Sequence, residues 1–211
     1  MRNLFIACVL FLGSIPLRAQ DDLMAMLEKE DAKQTNYTLA TFKASRLING
    51  QTVETIAKQH LNFWISHRFG AINSGFIDNF LGLDEARIRL GLEYAITDRL
   101  LVGAGRSTIE KTYDSYVKYK VIRQSNKMPV TVTAYGSIAS NTMKTGYTME
   151  SGTVMRFNNN LQRQTFMGQL LIARKFSDKL SVQLMPTLFH NNLAEKIYME
   201  NTQAAIGFGG R

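Results

Sequence analysis

The sequence predicts an all-β fold: an antiparallel, up-and-down transmembrane β-barrel with about eight visible strands, preceded by a signal peptide and a short helix. Three observations predict it. An apolar leader opens the chain, period-two alternation runs from residue 61 onward, and tight turns alternate with long loops.

Residues 1–20 have the layout of a secretory leader. Arg2 supplies the positive start, residues 4–12 form an apolar run too short to span a bilayer, and Pro16 breaks it before Ala19 and Gln20. Leu17 or Arg18 falls where a small residue is usual, and the competing reading is an uncleaved N-terminal anchor. The single cysteine, Cys8, lies inside this run, too early for a lipid-anchoring position. Once the leader is removed no thiol remains, which excludes disulfides and thiolate metal sites.

Composition narrows the class further. Mean hydropathy is −0.13, and 45% of residues are hydrophobic. A multi-helix membrane protein needs repeated apolar runs of about 20 residues, and only the leader approaches one. The formal charge is +8, from 25 basic and 17 acidic residues. The basic residues are not gathered into an arm, and export removes the chain from nucleic acid. Outer-membrane lipid and an anionic small solute are the more compatible partners.

Residues 21–31 read as a short helix. Asp21 and Asp22 suit its N-terminal dipole, and Leu23, Met26 and Leu27 share one face. It could dock on a periplasmic partner or cover the barrel mouth, against the plainer reading of a partly ordered tail. The domain plan is thus a leader over 1–20, a periplasmic segment over 21–60 and the barrel over 61–211.

The strands follow in order. In the run 87–96, Ile88, Leu90, Leu92, Tyr94 and Ile96 alternate with Arg87, Arg89, Gly91, Glu93 and Ala95. Only a strand separates residues this way, because successive side chains point to opposite faces. Val117, Tyr119 and Val121 alternate with Lys118, Lys120 and Ile122, and Val130, Val132 and Ala134 with Thr131, Thr133 and Tyr135. Phe166, Leu170 and Ile172 oppose Thr165, Met167 and Gln169; Val182 and Leu184 oppose Ser181, Gln183 and Met185. Residues 61–69 and 100–106 are weaker members. Residues 204–211 read as the first part of a further strand, so a truncated C-terminus is expected, with seven complete strands and a fragment.

The connections support an outer-membrane arrangement. Ile96-Thr97-Asp98-Arg99-Leu100 and Phe176-Ser177-Asp178-Lys179-Leu180 are near copies of one tight turn, and a third short connection spans 124–129. The alternate connections over 70–85, 140–162 and 191–203 are long, with 108–112 as the exception. Short turns on one side and long loops on the other are the outer-membrane pattern. A membrane-spanning strand over 37–48 would break the parity, which places that stretch in the periplasm or at the barrel mouth.

Candidate chemistry is sparse. His60, His67 and His190 sit on separate segments, without the spacing of a zinc site. Ser66 adjoins His67, but neighbours on a strand face opposite ways and cannot form a nucleophile–base pair. Gly103-Ala104-Gly105 lacks the strand–loop–helix setting of a phosphate loop, so close side-chain packing is the better account. No metal, cofactor or enzymatic activity is expected. Arg68, Arg87, Arg89, Lys118 and Lys120 share a face with Glu93, and charges at mid-depth belong inside a barrel. A basic lumen would favour anionic solutes; the alternative is a small barrel filled by its own side chains, with the basic groups paired to Glu93 and polar neighbours. Phe63, Phe69, Tyr94, Tyr113, Phe166 and Phe176 near strand ends fit interfacial girdles.

Several of these segments also resemble a known family. They are the run from Ala40 to Gly50 (ATFKASRLING), Ile65 to Gly70 (ISHRFG), Phe80 to Asp84 (FLGLD) and Ile88 to Tyr94 (IRLGLEY). Thr97 to Leu100 (TDRL), Gly105 to Ser107 (GRS) and Glu110 to Asp114 (EKTYD) complete the set. On these motifs the chain is similar to domain-of-unknown-function family 5777, a family of predicted β-barrel proteins. The resemblance implies a membrane barrel and a chain that continues past the equivalent of Arg211. It implies no activity and no functional residue.

The leading expectation is therefore a non-enzymatic outer-membrane barrel of a Gram-negative bacterium, acting as a narrow pore or a structural or assembly scaffold. A soluble lipocalin-like barrel binding an apolar ligand has the same alternation with the opposite sign, Leu90, Leu92 and Val132 inward. An outer-membrane lipid-modifying enzyme is the third reading, and it lacks a catalytic cluster.

Overall fold

The computed structural model describes residues 24, 35–48, 50–149, 152, 154–193 and 200–211. The expected leader, and the expected helix over 21–31 apart from Met24, lie outside the described residues.

The described residues form twelve strands in chain order: β1 (Arg46–Leu47), β2 (Gly50–Gln51), β3 (Leu61–Arg68), β4 (Arg87–Ala95), β5 (Leu100–Ser107), β6 (Tyr113–Ile122), β7 (Thr131–Ser140), β8 (Tyr147–Thr148), β9 (Val154–Met155), β10 (Gln164–Lys175), β11 (Ser181–Asn191) and β12 (Thr202–Gly210). Eight of them make one antiparallel sheet in the order β12-β11-β10-β7-β6-β5-β4-β3. Each is the sequence neighbour of the next, apart from the short pair β8 and β9. That is the up-and-down meander the alternation predicts. The segment expected to be only a strand fragment is instead a nine-residue strand, paired along β11 from His190 opposite Thr202 to Val182 opposite Gly210.

The three short turns share one device. Thr97 Oγ1 accepts from the backbone N–H groups of Arg99 and Leu100. Ser177 Oγ does the same for Lys179 and Leu180, and Ser125 Oγ for Lys127 and Met128. The hydroxyl caps amides two and three residues on, and backbone bonds from Thr97, Ser177 and Ser125 N–H to the Leu100, Leu180 and Met128 carbonyls close the same turns. All three lie at the same end of the sheet, opposite the longer loops.

The sheet is curled. Arg46 lies on the ring of Trp64 in β3, while the next residue, Leu47, packs against Gly209 in β12. These strands are the two edges of the sheet. In a flat sheet seven strand spacings would hold them about 34 Å apart. Two consecutive residues reach both only because the sheet wraps around them. Its edges are not paired to each other, so the sheet stays open between β3 and β12.

The core lies inside that curl. Phe42 and Val53 pack with inward-facing Leu101, Leu171, Ala173 and Met185 and with the rings of Tyr116 and Tyr135. Residues 41–54, which include part of the 37–48 stretch that the parity argument set in the periplasm or at the mouth, thus enter the curl and cover the inner face at the short-turn end.

Candidate functional site

The sign of the alternation, which periodicity leaves open, is settled by burial. On β4, Leu90, Leu92 and Tyr94 are exposed, while Gly91, Glu93 and Ala95 are buried. On β6, Val117, Tyr119 and Val121 are exposed, while Tyr116 and Lys118 are buried. The apolar set therefore faces outward around the sheet, through Phe63 and Ile65 on β3, Leu170 on β10, Leu184 on β11 and Phe208 on β12. A soluble barrel would turn these residues inward. Monomers in water rarely expose an apolar patch of more than a few hundred Å².

Charge follows the same geography. Among the described strands, Arg106 and Arg174 are the outward cations, and each sits near a strand end. Arg106 lies 5.5 Å from the centroid of Tyr113, and Arg174 lies 4.8 Å from that of Phe176. Mid-depth charge on a lipid face costs about 2–4 kcal/mol and end positions far less. The six expected girdle aromatics, Phe63, Phe69, Tyr94, Tyr113, Phe166 and Phe176, are all exposed.

The structure places Arg68, Arg87, Arg89, Glu93, Lys118 and Lys120 on the inner face: Arg68 pairs with Arg87, and Arg89, Glu93, Lys118 and Lys120 share that face through the register of β4 to β7. They fall into two groups. Glu93, Lys118 and Lys120 meet the inner segment near the short turns. Arg68, Arg87 and Arg89 stand beyond its reach, near the long loops.

In the first group, Glu93 is the hub. Its carboxylate accepts from Tyr116 Oη at 2.6 Å, Arg46 Nη2 at 3.1 Å and Ser45 Oγ at 3.2 Å. Lys118 is 0% exposed, and its ammonium donates to the backbone carbonyls of Ser45 (3.2 Å) and Glu54 (3.0 Å). Lys120 pairs with the Glu54 carboxylate at 3.5 Å. The far wall repeats the pattern. Gln183 Oε1 accepts from Val53 N–H at 3.0 Å, and its amide donates to the Gln51 carbonyl at 2.7 Å. Thr133 Oγ1 donates to the Val53 carbonyl. A segment with little regular structure is thus satisfied by side chains that a sheet alone would leave buried and unpaired.

Three inward glycines make room for this packing. A Cβ on Gly91 would strike the Trp64 indole, one on Gly103 the Tyr116 ring, and one on Gly105 the Arg89 guanidinium. The 103–105 run therefore serves close packing, in keeping with its reading from sequence. Two guanidiniums approach the Trp64 ring, Arg46 at 4.1 Å and Arg89 at 4.5 Å from its centroid.

In the second group, Arg89 forms a two-pronged ion pair with Asp114, through Nε at 3.0 Å and through Nη2. The histidines stay apart. His60 bonds the Lys58 carbonyl, His190 bonds Thr202 and Asn192, and His67 stacks on Phe69. Ser66 lies opposite inward Arg89 and His67 opposite outward Ile88, so the pair points to opposite faces. Among the described residues no cluster of His, Cys, Asp and Glu could hold a metal ion. Also among them, no helix is long and apolar enough to cross a membrane.

Sequence reasoning misses Ser45, Arg46, Thr52, Val53 and Glu54 as interior residues. The available signal was on the sheet: Lys118, Thr133 and Gln183 face inward on strands that offer them no matching partners.

A curled antiparallel sheet with an apolar band outside and polar, charged residues inside is the organisation of a membrane β-barrel domain. Residues 42–211 match the family described as membrane bound beta barrel domain (DUF5777), and the chain belongs to that family. The match takes in the inner segment from Phe42 onward as well as the strands. No curated protein and no solved structure matches the chain.

Proposed function

We propose that this chain is an outer-membrane β-barrel of a Gram-negative bacterium, exported through a cleaved leader, without enzymatic chemistry. It serves as a structural or assembly scaffold whose interior is closed at the short-turn end by its own residues 41–54. The observation that carries this reading is the seating of that segment. Its backbone is bonded by Lys118, Thr133 and Gln183, and its side chains by Glu93 and Lys120. A freely conducting pore needs a continuous aqueous path, and Phe42 and Val53 occupy that position with apolar side chains.

Two measurements on the full chain test it. Membranes carrying the protein are washed with alkali or urea, and the retained protein is run on a gel with and without heating. Retention with a heat-dependent mobility shift is expected of an inserted barrel. The same protein in planar bilayers is expected to give no steady conductance. Sustained single-channel steps would replace the scaffold with the narrow pore. A wash-soluble, heat-insensitive chain would remove the membrane reading itself.

A further inference from the structure

The long-loop end of the inner face carries a feature that the seated segment does not explain. Across β3 and β4, Arg68 stands directly opposite Arg87 and Ser66 opposite Arg89; across β4 and β5, Arg89 stands opposite Ser107. All five share the inner face. Arg89 spends Nε and Nη2 on Asp114, and its Nη1 is buried without a hydrogen-bond partner. The Ser107 hydroxyl oxygen accepts from the Ile109 N–H, which leaves its proton to donate. These groups bound a cleft of about 40 Å³. One water needs about 10–15 Å³ measured the same way, so the cleft has room for a small oxyanion and not for a larger organic solute.

Guanidinium groups and hydroxyls converging on a space of that size match the oxygens of a tetrahedral anion. We propose that this cleft binds a phosphate-type oxyanion, with Arg68 and Arg89 supplying charge and Ser66 and Ser107 supplying hydroxyl donors. The anion is either free or the headgroup of a lipid. The proposal rests on the reading of the chain as an inserted barrel with its charges inward, and it gives the anionic partner of that barrel a defined place.

The chain carries its own reporter. Trp64 is the only tryptophan, and its ring lies 4.5 Å from the Arg89 guanidinium. The full chain, in detergent micelles, is titrated with inorganic phosphate while Trp64 emission is followed. In parallel it is reconstituted into phosphatidylcholine vesicles with and without phosphatidic acid. The variants are Arg68→Gln and Ser66→Ala, with the outward Arg174→Gln as control, each first checked for the heat-dependent gel shift.

A saturable emission change with free phosphate, weakened about tenfold in Arg68→Gln and unchanged in Arg174→Gln, supports a site for the free ion. A change that needs phosphatidic acid and is lost in Arg68→Gln supports the headgroup. If Arg68→Gln does not fold, a weakened response in Ser66→Ala carries the same meaning. Properly folded protein with no response to either probe, or with equal responses in all variants, overturns the site and leaves the barrel reading intact. Loss of the gel shift in the unmodified chain would instead count against the barrel reading.

Discussion

The two ends of the inner face are built from the same strands with the same alternation, yet they differ in nearly every physical respect. Near the short turns, Leu101, Lys118, Leu171, Thr133 and Ser181 are 0% exposed. Near the long loops, Arg87, Arg89, Ser107, Ser137 and Thr187 are half-buried and Arg68 is exposed. The strands do not change between these ends. What changes is the presence of residues 41–54. Inside a barrel, then, a position on the inner face fixes direction, and the filling fixes environment. A lysine can be buried at one end because main-chain carbonyls meet it; an arginine at the other end keeps a buried, unbonded N–H because no described residue does.

Substitutions can break this contrast or sharpen it. The largest effect is expected from Lys118→Met, which leaves the Ser45 and Glu54 carbonyls buried without their donor. It should lower stability by about 3 kcal/mol, read as a shift in urea unfolding of the detergent-held chain by Trp64 emission. A loss below about 1 kcal/mol would mean that the segment is not seated on Lys118. Gly103→Val comes next. The new side chain meets the Tyr116 ring and pulls its hydroxyl from Glu93, at a cost of about 2 kcal/mol. Trypsin should then cut at Lys43 and Arg46 in the folded protein, and continued resistance would show that the seat tolerates a displaced Tyr116.

At the long-loop end, Gln169→Ala removes a side-chain hydrogen bond to Thr187 at 2.7 Å. About 1 kcal/mol is expected from the same unfolding curves. A loss as large as that of Lys118→Met would erase the contrast between the ends. The smallest effect belongs outside the sheet faces. In the β10–β11 turn, Lys175 donates a hydrogen bond that holds the Asp178 carboxyl below its ordinary pKa. Such a group adds stability above its unfolded pKa and loses it as pH falls through the lowered value. Asp178 is fully exposed and solvent screens the pair. Asp178→Asn should leave the unfolding midpoint unchanged at pH 7 and at pH 3, and a shift at pH 7 alone would mark the pair as structural.

The wall was legible in the sequence and the filling was not, for a physical reason. Side chains on a strand alternate with period two, so Leu90, Leu92 and Glu93 declare their opposition without any knowledge of neighbours. The same pattern serves a soluble and a membrane barrel, so the sign needed the burial of Glu93 and Lys118. The turns at 97–99 and 177–179 were legible because a hydroxyl capping nearby amides is a local matter. Residues 41–54 carry no period. They are held largely through their backbone, by Lys118, Thr133 and Gln183, and a backbone carbonyl of Ser45 looks like any other in a sequence. Parity set 37–48 apart from the spanning strands, and could not tell outside from inside. For the oxyanion cleft, the inward arginines were legible, but the convergence of Arg68, Arg89 and Ser107 depends on the pairing of three strands.

The seating of residues 41–54 also sets an order in time. The contacts of this segment span 47 residues to Glu93, 73 to Lys118, 80 to Thr133 and 130 to Gln183. Each step closes a longer loop of chain, and contacts so distant in sequence slow folding. Gln183 belongs to β11 and Gly209 to β12, so this early segment waits for partners synthesised long after it. Until then Phe42 and Val53 have no complete wall to bury them. A nascent chain that lacks β11 thus leaves Phe42 and Val53 without the Met185 side of their burial.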